Sequence, residues 1–192
     1  MSGKEDLRVK RTKKALAEAF INLLSVKSFE DITVNELCDT AGIRRATFYK
    51  HYTDKLDFLT LYVSNLRDRF DSTIWKSDNA APTREYYVAY AKRIIKFIND
   101  NSSAIDNVLK SHLFPSMLTI ILERNYKDTH ARLEASVKAG MKLSASTDVT
   151  ASMIAGAVAA AIYTWLISGK QKDADELANE VGDVVANLVE GK

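Results

Sequence analysis

Cysteine, proline and histidine are all scarce in this chain of 192 residues, which has one, two and three of them. The single cysteine, Cys38, excludes an intrachain disulfide and suits a reducing compartment. Beside Leu37 in an apolar-periodic segment, it reads as a small buried residue rather than a reactive thiol. The histidines, His51, His112 and His130, are scattered. There is no H-E-x-x-H, no G-x-S-x-G and no phosphate-cradling glycine loop. Neither a metal, a cofactor nor an enzyme activity is expected. The longest apolar run, from Met153 to Ile167, falls short of the roughly 20 residues that a membrane span needs. The charged opening also lacks the apolar region of a signal peptide. These absences describe a cytoplasmic protein that does not enter a membrane.

What is present is mostly helical in pattern. Two prolines and seven glycines leave long uninterrupted stretches, and few segments alternate like strands. The expected class is therefore all-α. The apolar fraction of 46% and charged fraction of 27% are ordinary for a globular chain with a substantial core. The formal charge of +2 is modest but unevenly placed: residues 1–14 carry a net +4, whereas residues 61–192 balance. Positive charge near the start suits an anionic partner. The modest total argues against a protein that coats nucleic acid regardless of sequence.

Leu16, Ala19, Phe20, Leu23 and Leu24 recur at helical spacing from a start near Leu7, and Phe29 and Ile32 can plug the core from the connection that follows. Thr33-Val34-Asn35-Glu36 fits a capping box, in which hydroxyl and carboxylate satisfy orphan backbone donors at a helix start. The short helix it opens runs to about Thr40 before Ala41-Gly42-Ile43, and a second spans about Arg44–His51. Two short helices joined by a glycine turn form a helix-turn-helix. A longer helix, capped by Thr53 or Asp54, presents Leu56, Leu59, Val63, Leu66 and Phe70 and continues to about Trp75. The stretch 76–83 is the clearest break. Further helices are expected near 83–100, 103–112, 115–141, 148–168 and 173–190. The domain boundary is placed between a helix-turn-helix head, 1–54, and a helical body, 55–192.

On a helical wheel centred on Phe48, Tyr52 falls within about 40° and Ala46 and Lys50 fall opposite, flanked by Thr47 and Tyr49. Arg44 and Arg45 occupy the helix start. There the macrodipole disfavours cations by at most ~1 kcal/mol, whereas a bidentate arginine–guanine pair is worth about 1–3 kcal/mol of discrimination. That chemistry suits a DNA major groove, although two solvated arginines would also satisfy the pattern.

The series Thr33-x-x-x-Leu37-Cys38-x-x-Ala41-Gly42-Ile43, then Thr47-Phe48-Tyr49-x-His51-Tyr52-x-x-Lys55, closely resembles the DNA-binding signature of TetR-family transcriptional regulators. The resemblance covers residues 7 to about 60. It implies that Arg44, Arg45, Ala46, Thr47 and Lys50 read bases, that Tyr49, His51 and Lys55 contact the DNA backbone, and that Thr33 approaches a phosphate. For His51 a packed or capping role stays open. Many family members carry a serine and a glycine or proline near Arg44 to Ala46, so no operator sequence is transferred. Arg8, Lys10 and Arg11 belong to an amino-terminal arm that would cross the backbone or minor groove.

The resemblance further implies a homodimer through the last two helices on a palindromic double-stranded operator. Ser152, Ala155, Gly156, Ala159 and Ala160 lie along one of these helices, and Leu177, Val181, Val184, Val185 and Leu188 along the other, with Trp165, Leu166 and Ile167 nearby. It also implies repression relieved by a small-molecule effector. Tyr86, Tyr90, Phe97, His112, Phe114, Met117, Tyr126 and Tyr163 are the candidates to line its site, with plain core as the other reading of each aromatic. A TetR-like co-activator working through a protein partner is the alternative.

Overall fold

The computed structural model describes residues 7–72 and 83–190, with side chains of residues 67–72 and 190 excluded. Among the described residues there are nine helices and no strand: α1 (Leu7–Leu24), α2 (Val34–Ala41), α3 (Arg45–Tyr49), α4 (Lys55–Ser72), α5 (Arg84–Asp100), α6 (Ser102–Lys110), α7 (Phe114–Lys138), α8 (Thr147–Ile167) and α9 (Ala174–Glu190). The expected reach of the fourth helix to Trp75, the expected break over 76–83 except Thr83, and the side chain of Phe70 lie outside the described residues.

The chain forms two compact units. One comprises the residues up to Val63 together with Ile98–Met117, and the other comprises Ser64–Phe97 together with the residues from Leu118 onward. The first unit therefore holds more than residues 1–54: the start of α4 and all of α6 join it. Two hydrogen bonds tie α6 in. Asn107 Nδ2 donates to the Leu24 carbonyl at 2.7 Å, and Ser111 Oγ, just after α6, donates to Glu30 Oε1 at 2.7 Å. The Ser111 bond holds the Glu30 carboxyl below its ordinary range.

The core of this unit is a cluster of rings. Phe20 meets Phe29 and Phe58 edge-on at 6.0 and 5.2 Å, and Phe58 meets Tyr52 at 5.1 Å and Phe48 at 6.0 Å. Leu16, Ile32, Leu37 and Cys38 close it. Burial beside Asp39 pushes the Cys38 thiol pKa up, which keeps it protonated and unreactive. In α4 the burial differs from expectation. Leu56 is 54% exposed, while Phe58 takes the inward place beside Leu59. A face centred on Phe58, Leu59 and Tyr62 leaves Leu56 about 115° round the helix.

The capping box forms as the sequence predicts. The Glu36 amide donates to Thr33 Oγ1, and the Thr33 amide donates to Glu36 Oε2 at 3.0 Å. Lys27 binds the same carboxylate. The Lys27 bond first, then those from Thr33, hold the Glu36 pKa down to about 2 from an ordinary 4.5. A depressed carboxylate stabilises the fold fully above its unfolded pKa, and that contribution disappears as pH falls through the folded value. Between pH 4.5 and pH 2 the wild-type melting temperature should therefore fall more steeply than that of Glu36→Gln. Parallel acid slopes in thermal melts would count against this linkage.

In the second unit α8 packs on α9. Ile154, Val158, Ile162 and Trp165 of α8 are buried, as are Leu177, Ala178, Val181 and Val185 of α9. The Trp165 indole donates to the Lys172 carbonyl at 2.8 Å across the intervening turn. At 21 residues α8 matches the helix expected near 148–168, and by length and composition alone it could cross a membrane, which the shorter apolar run at 153–167 had not suggested. Its inward face is a protein core face lined by Ile154, Val158 and Trp165.

Gly182 of α9 marks a close approach that nothing in the sequence pattern announces. A Cβ there would collide with Val88 Cγ2 and stand 3.2 Å from the Arg84 carbonyl. Gly182→Ala should therefore overpack the α5–α9 contact and cost about 1–3 kcal/mol, read from the midpoint of urea unfolding. An unchanged midpoint would show that α9 shifts freely.

Candidate nucleic-acid interface

Gly42 ends α2 in the left-handed region at φ 66°, which the glycine adopts without steric cost. The Ile43 amide closes the turn on the Cys38 carbonyl at 3.0 Å. The chain then enters α3 through Arg44, an N-cap with extended backbone and no side-chain cap. The helix is shorter than expected, five residues from Arg45 to Tyr49, so Lys50 and His51 follow its end. Phe48 anchors it, with no exposed surface, and Tyr52 is buried beside it.

This anchoring fixes what faces outward. Arg44, Arg45, Ala46, Tyr49 and Lys50 are all exposed, Thr47 and His51 are half-buried, and Tyr49 is 49% exposed. None of Arg44, Arg45 and Lys50 forms an ion pair among the described residues. The Arg45 guanidinium lies over the Tyr49 ring, 5.9 Å from its centroid. Three cations, a hydroxyl, a phenol and a methyl thus share a rigidly mounted surface. Chemically it can accept phosphates and present donors to base edges.

Two residues expected at that surface serve the scaffold instead. Lys55 Nζ donates to the carbonyls of Phe29, Glu30 and Ile32 at 2.8, 3.1 and 2.6 Å, which uses all three of its N–H groups. It also lies over the Phe29 ring at 4.5 Å. Burial pushes its pKa below the ordinary value, opposed by Glu30, Asp31 and Glu36. The ammonium is a staple on the α1–α2 connection and has no donor left for a phosphate. Likewise the Thr33 hydroxyl gives its proton to Glu36 Oε2 at 2.9 Å, inside the cap. Asp54, the other candidate beside Thr53, caps α4 by accepting the Leu56 and Asp57 amides at 2.7 and 2.8 Å. Arg8, Lys10 and Arg11 are exposed within the first turns of α1 and are not a free arm.

The effector candidates divide. Tyr86, Tyr90 and Met117 are buried and Phe97, Phe114 and Tyr126 are half-buried, but His112 is exposed and Tyr163 is 36% exposed, so these two line no interior. Tyr126 donates to Asp148 Oδ1 at 2.8 Å, a bond that raises its pKa, and His130 meets the same oxygen at 3.2 Å. Sequence reasoning missed a polar stripe on α7. Asn125, Thr129 and Ser136 are buried, with Tyr90 donating to Asn125 at 3.1 Å and Arg132 lying over Tyr86 at 5.2 Å. The signal was there in the spacing: 125, 129, 132 and 136 follow a helical period, but in polar residues.

The exposed side of α8 and α9 is also narrower than the expected stripe. Ala155, Leu177, Val181 and Val185 face their own core, Ala159, Gly156 and Leu188 are half-buried, and Ser152, Ala160 and Val184 face out. Val149, Met153, Tyr163 and Ile167 extend that outward face along α8.

An all-helical chain with this head has the fold of the TetR-family transcriptional regulators. A protein from Syntrophomonas wolfei assigned to that family superposes with TM-score 0.71 over 94% of this chain and 96% of its own, at 15% identity. The transcriptional regulator FadR from Bacillus subtilis, solved in complex with stearoyl-CoA, gives TM-score 0.55 over 93% and 98%, also at 15% identity. In sequence the chain is similar to the HTH-type transcriptional regulator YxbF of Bacillus subtilis, 44% identical over 55 residues, 28% of this chain. It is also similar to the dhaKLM operon transcriptional activator DhaS of Lactococcus lactis, 29% identical over 72 residues, 35% of this chain. The matched segments span 14% of YxbF and 38% of DhaS, well under half of either. No family model matches the chain.

Proposed function

We propose that this protein is a dimeric, sequence-specific, DNA-binding transcriptional regulator of the cytoplasm, a repressor whose hold on a palindromic operator is controlled by a small-molecule effector. The observation that carries the reading is the exposed set Arg44, Arg45, Ala46, Tyr49 and Lys50, mounted on buried Phe48, its cations in no ion pair among the described residues. Arg8, Lys10 and Arg11 on α1 add phosphate contacts, with His51 at the rim. A single head reads few base pairs, and two heads related by a two-fold axis read half-sites about 34–36 Å apart. The outward apolar side of α8 supplies a surface for that pairing. The likeness to FadR, solved with stearoyl-CoA, supports an effector held in the body. Buried Tyr86 and Tyr90, both on α5, are the residues we assign to it. DhaS is described as an activator, so the sign of regulation is read separately, from a reporter placed behind the selected operator.

The test is selection from random duplex DNA at ~150 mM salt, where exposed charges are screened beyond about 8 Å. A two-fold palindrome is the expected product. A folded, dimeric protein that enriches no motif would refute this reading in favour of a co-activator acting through a protein partner.

A further inference from the structure

Arg44 and Arg45 are adjacent, exposed and alike in composition, yet the structure treats them differently. Arg44 is the N-cap of α3, with φ −76° and ψ 143°, and no ring lies beneath it among the described contacts. Arg45 is the first residue of the helix and Tyr49 the last, four positions on, a spacing that places two side chains on one face. The Arg45 guanidinium sits 5.9 Å from the Tyr49 ring centroid, within the range of a cation–π contact. The Tyr49 ring is itself braced. It meets Phe48 edge-on at 5.4 Å and 88°, and Phe48 is fully buried. A continuous line of contacts therefore runs from the core of the head through two rings to one guanidinium.

We propose that Tyr49 is a positioning residue. Its ring, rather than its hydroxyl, holds the Arg45 guanidinium in the orientation that reads a base, which makes Arg45 the specificity-determining arginine of the pair. The inference rests on the DNA-binding reading above and deepens it. An arginine side chain loses considerable rotamer freedom when it docks, and a platform that restrains it beforehand lowers that cost. Bidentate recognition of a guanine edge depends on the plane of the guanidinium, which stacking on a ring fixes. Arg44, without a platform, adds charge and little selectivity.

The experiment is motif selection followed by competition binding, on the full chain, for wild type, Tyr49→Leu, Tyr49→Phe, Arg45→Ala and Arg45→Ala/Tyr49→Leu. Thermal melts confirm that each variant is folded. Tyr49→Leu is expected to lower discrimination about two- to fivefold at the same positions that Arg45→Ala affects. Tyr49→Phe, which keeps the ring, should restore the wild-type preference. In the Arg45→Ala background, Tyr49→Leu should add nothing further. If Tyr49→Phe weakens binding to every sequence as much as Tyr49→Leu does, the hydroxyl on a phosphate is the agent and the inference is overturned. A Tyr49→Leu preference identical to wild type overturns it as well. A wild-type protein that enriches no motif removes the regulator reading and this inference together, which separates the two failures.

Discussion

The Lys55→Met protein is expected to lose about 2–4 kcal/mol of stability in its head while its body stays as stable as wild type. Methionine keeps the unbranched stem but removes an ammonium that donates to three carbonyls, those of Phe29, Glu30 and Ile32. Each such bond to a charged group is worth about 1.5–3 kcal/mol net, and rehydration of the freed carbonyls at this half-buried site returns part of the loss. The contact with the Phe29 ring goes too. Hydrogen exchange by residue would show lost protection in the α1–α2 connection and α2, with α8 and α9 unaffected. The rival role makes the opposite forecast. A phosphate contact would leave stability unchanged and reduce the salt slope of DNA binding by about one unit. Full protection together with a shallower slope would restore Lys55 to the interface.

Ala160→Glu should have the larger functional effect. Ala160 faces outward on α8, between Gly156 and Tyr163, so a carboxylate there meets no core of its own protomer. In a two-fold interface every contact occurs twice, so one substitution buries an unpaired carboxylate at two symmetry-related places in the apolar seam. The expected product is a folded monomer by sedimentation, with unchanged helical circular dichroism. Its affinity for the full palindrome should fall by about 10²–10⁴, because two linked half-site contacts become one. An Ala160→Glu protein that stays dimeric would move the interface off this face.

The parts of the fold that were legible in the sequence are those fixed by local chemistry. Thr33 and Glu36 announced a cap because only neighbouring backbone groups are involved, and Gly42 announced a turn because few residues adopt φ 66°. The outward set on α3 followed once Phe48 was taken as buried, since a helix wheel needs one fixed point. The misreadings concern partners distant in sequence. Nothing near Lys55 shows that its ammonium meets carbonyls 23 to 26 residues earlier. Tyr163 and His112 looked like lining residues because an aromatic or an imidazole carries no mark of the side it will face. The stripe on α9 split for a similar reason: Val184 and Val185 are adjacent and chemically identical, yet one is 52% exposed and the other buried. α8 was also too apolar all round for periodicity to say which side is core.

The segment from Arg44 to Lys55 separates its labours cleanly. Phe48, Tyr52 and Lys55 hold the head together, while Arg44, Ala46 and Lys50 project outward and support no other part of it. Substitutions at those outward positions therefore leave the scaffold intact. A lineage carrying this head could drift from one operator to another through viable intermediates, because what is read and what folds are written in different letters of the same dozen residues.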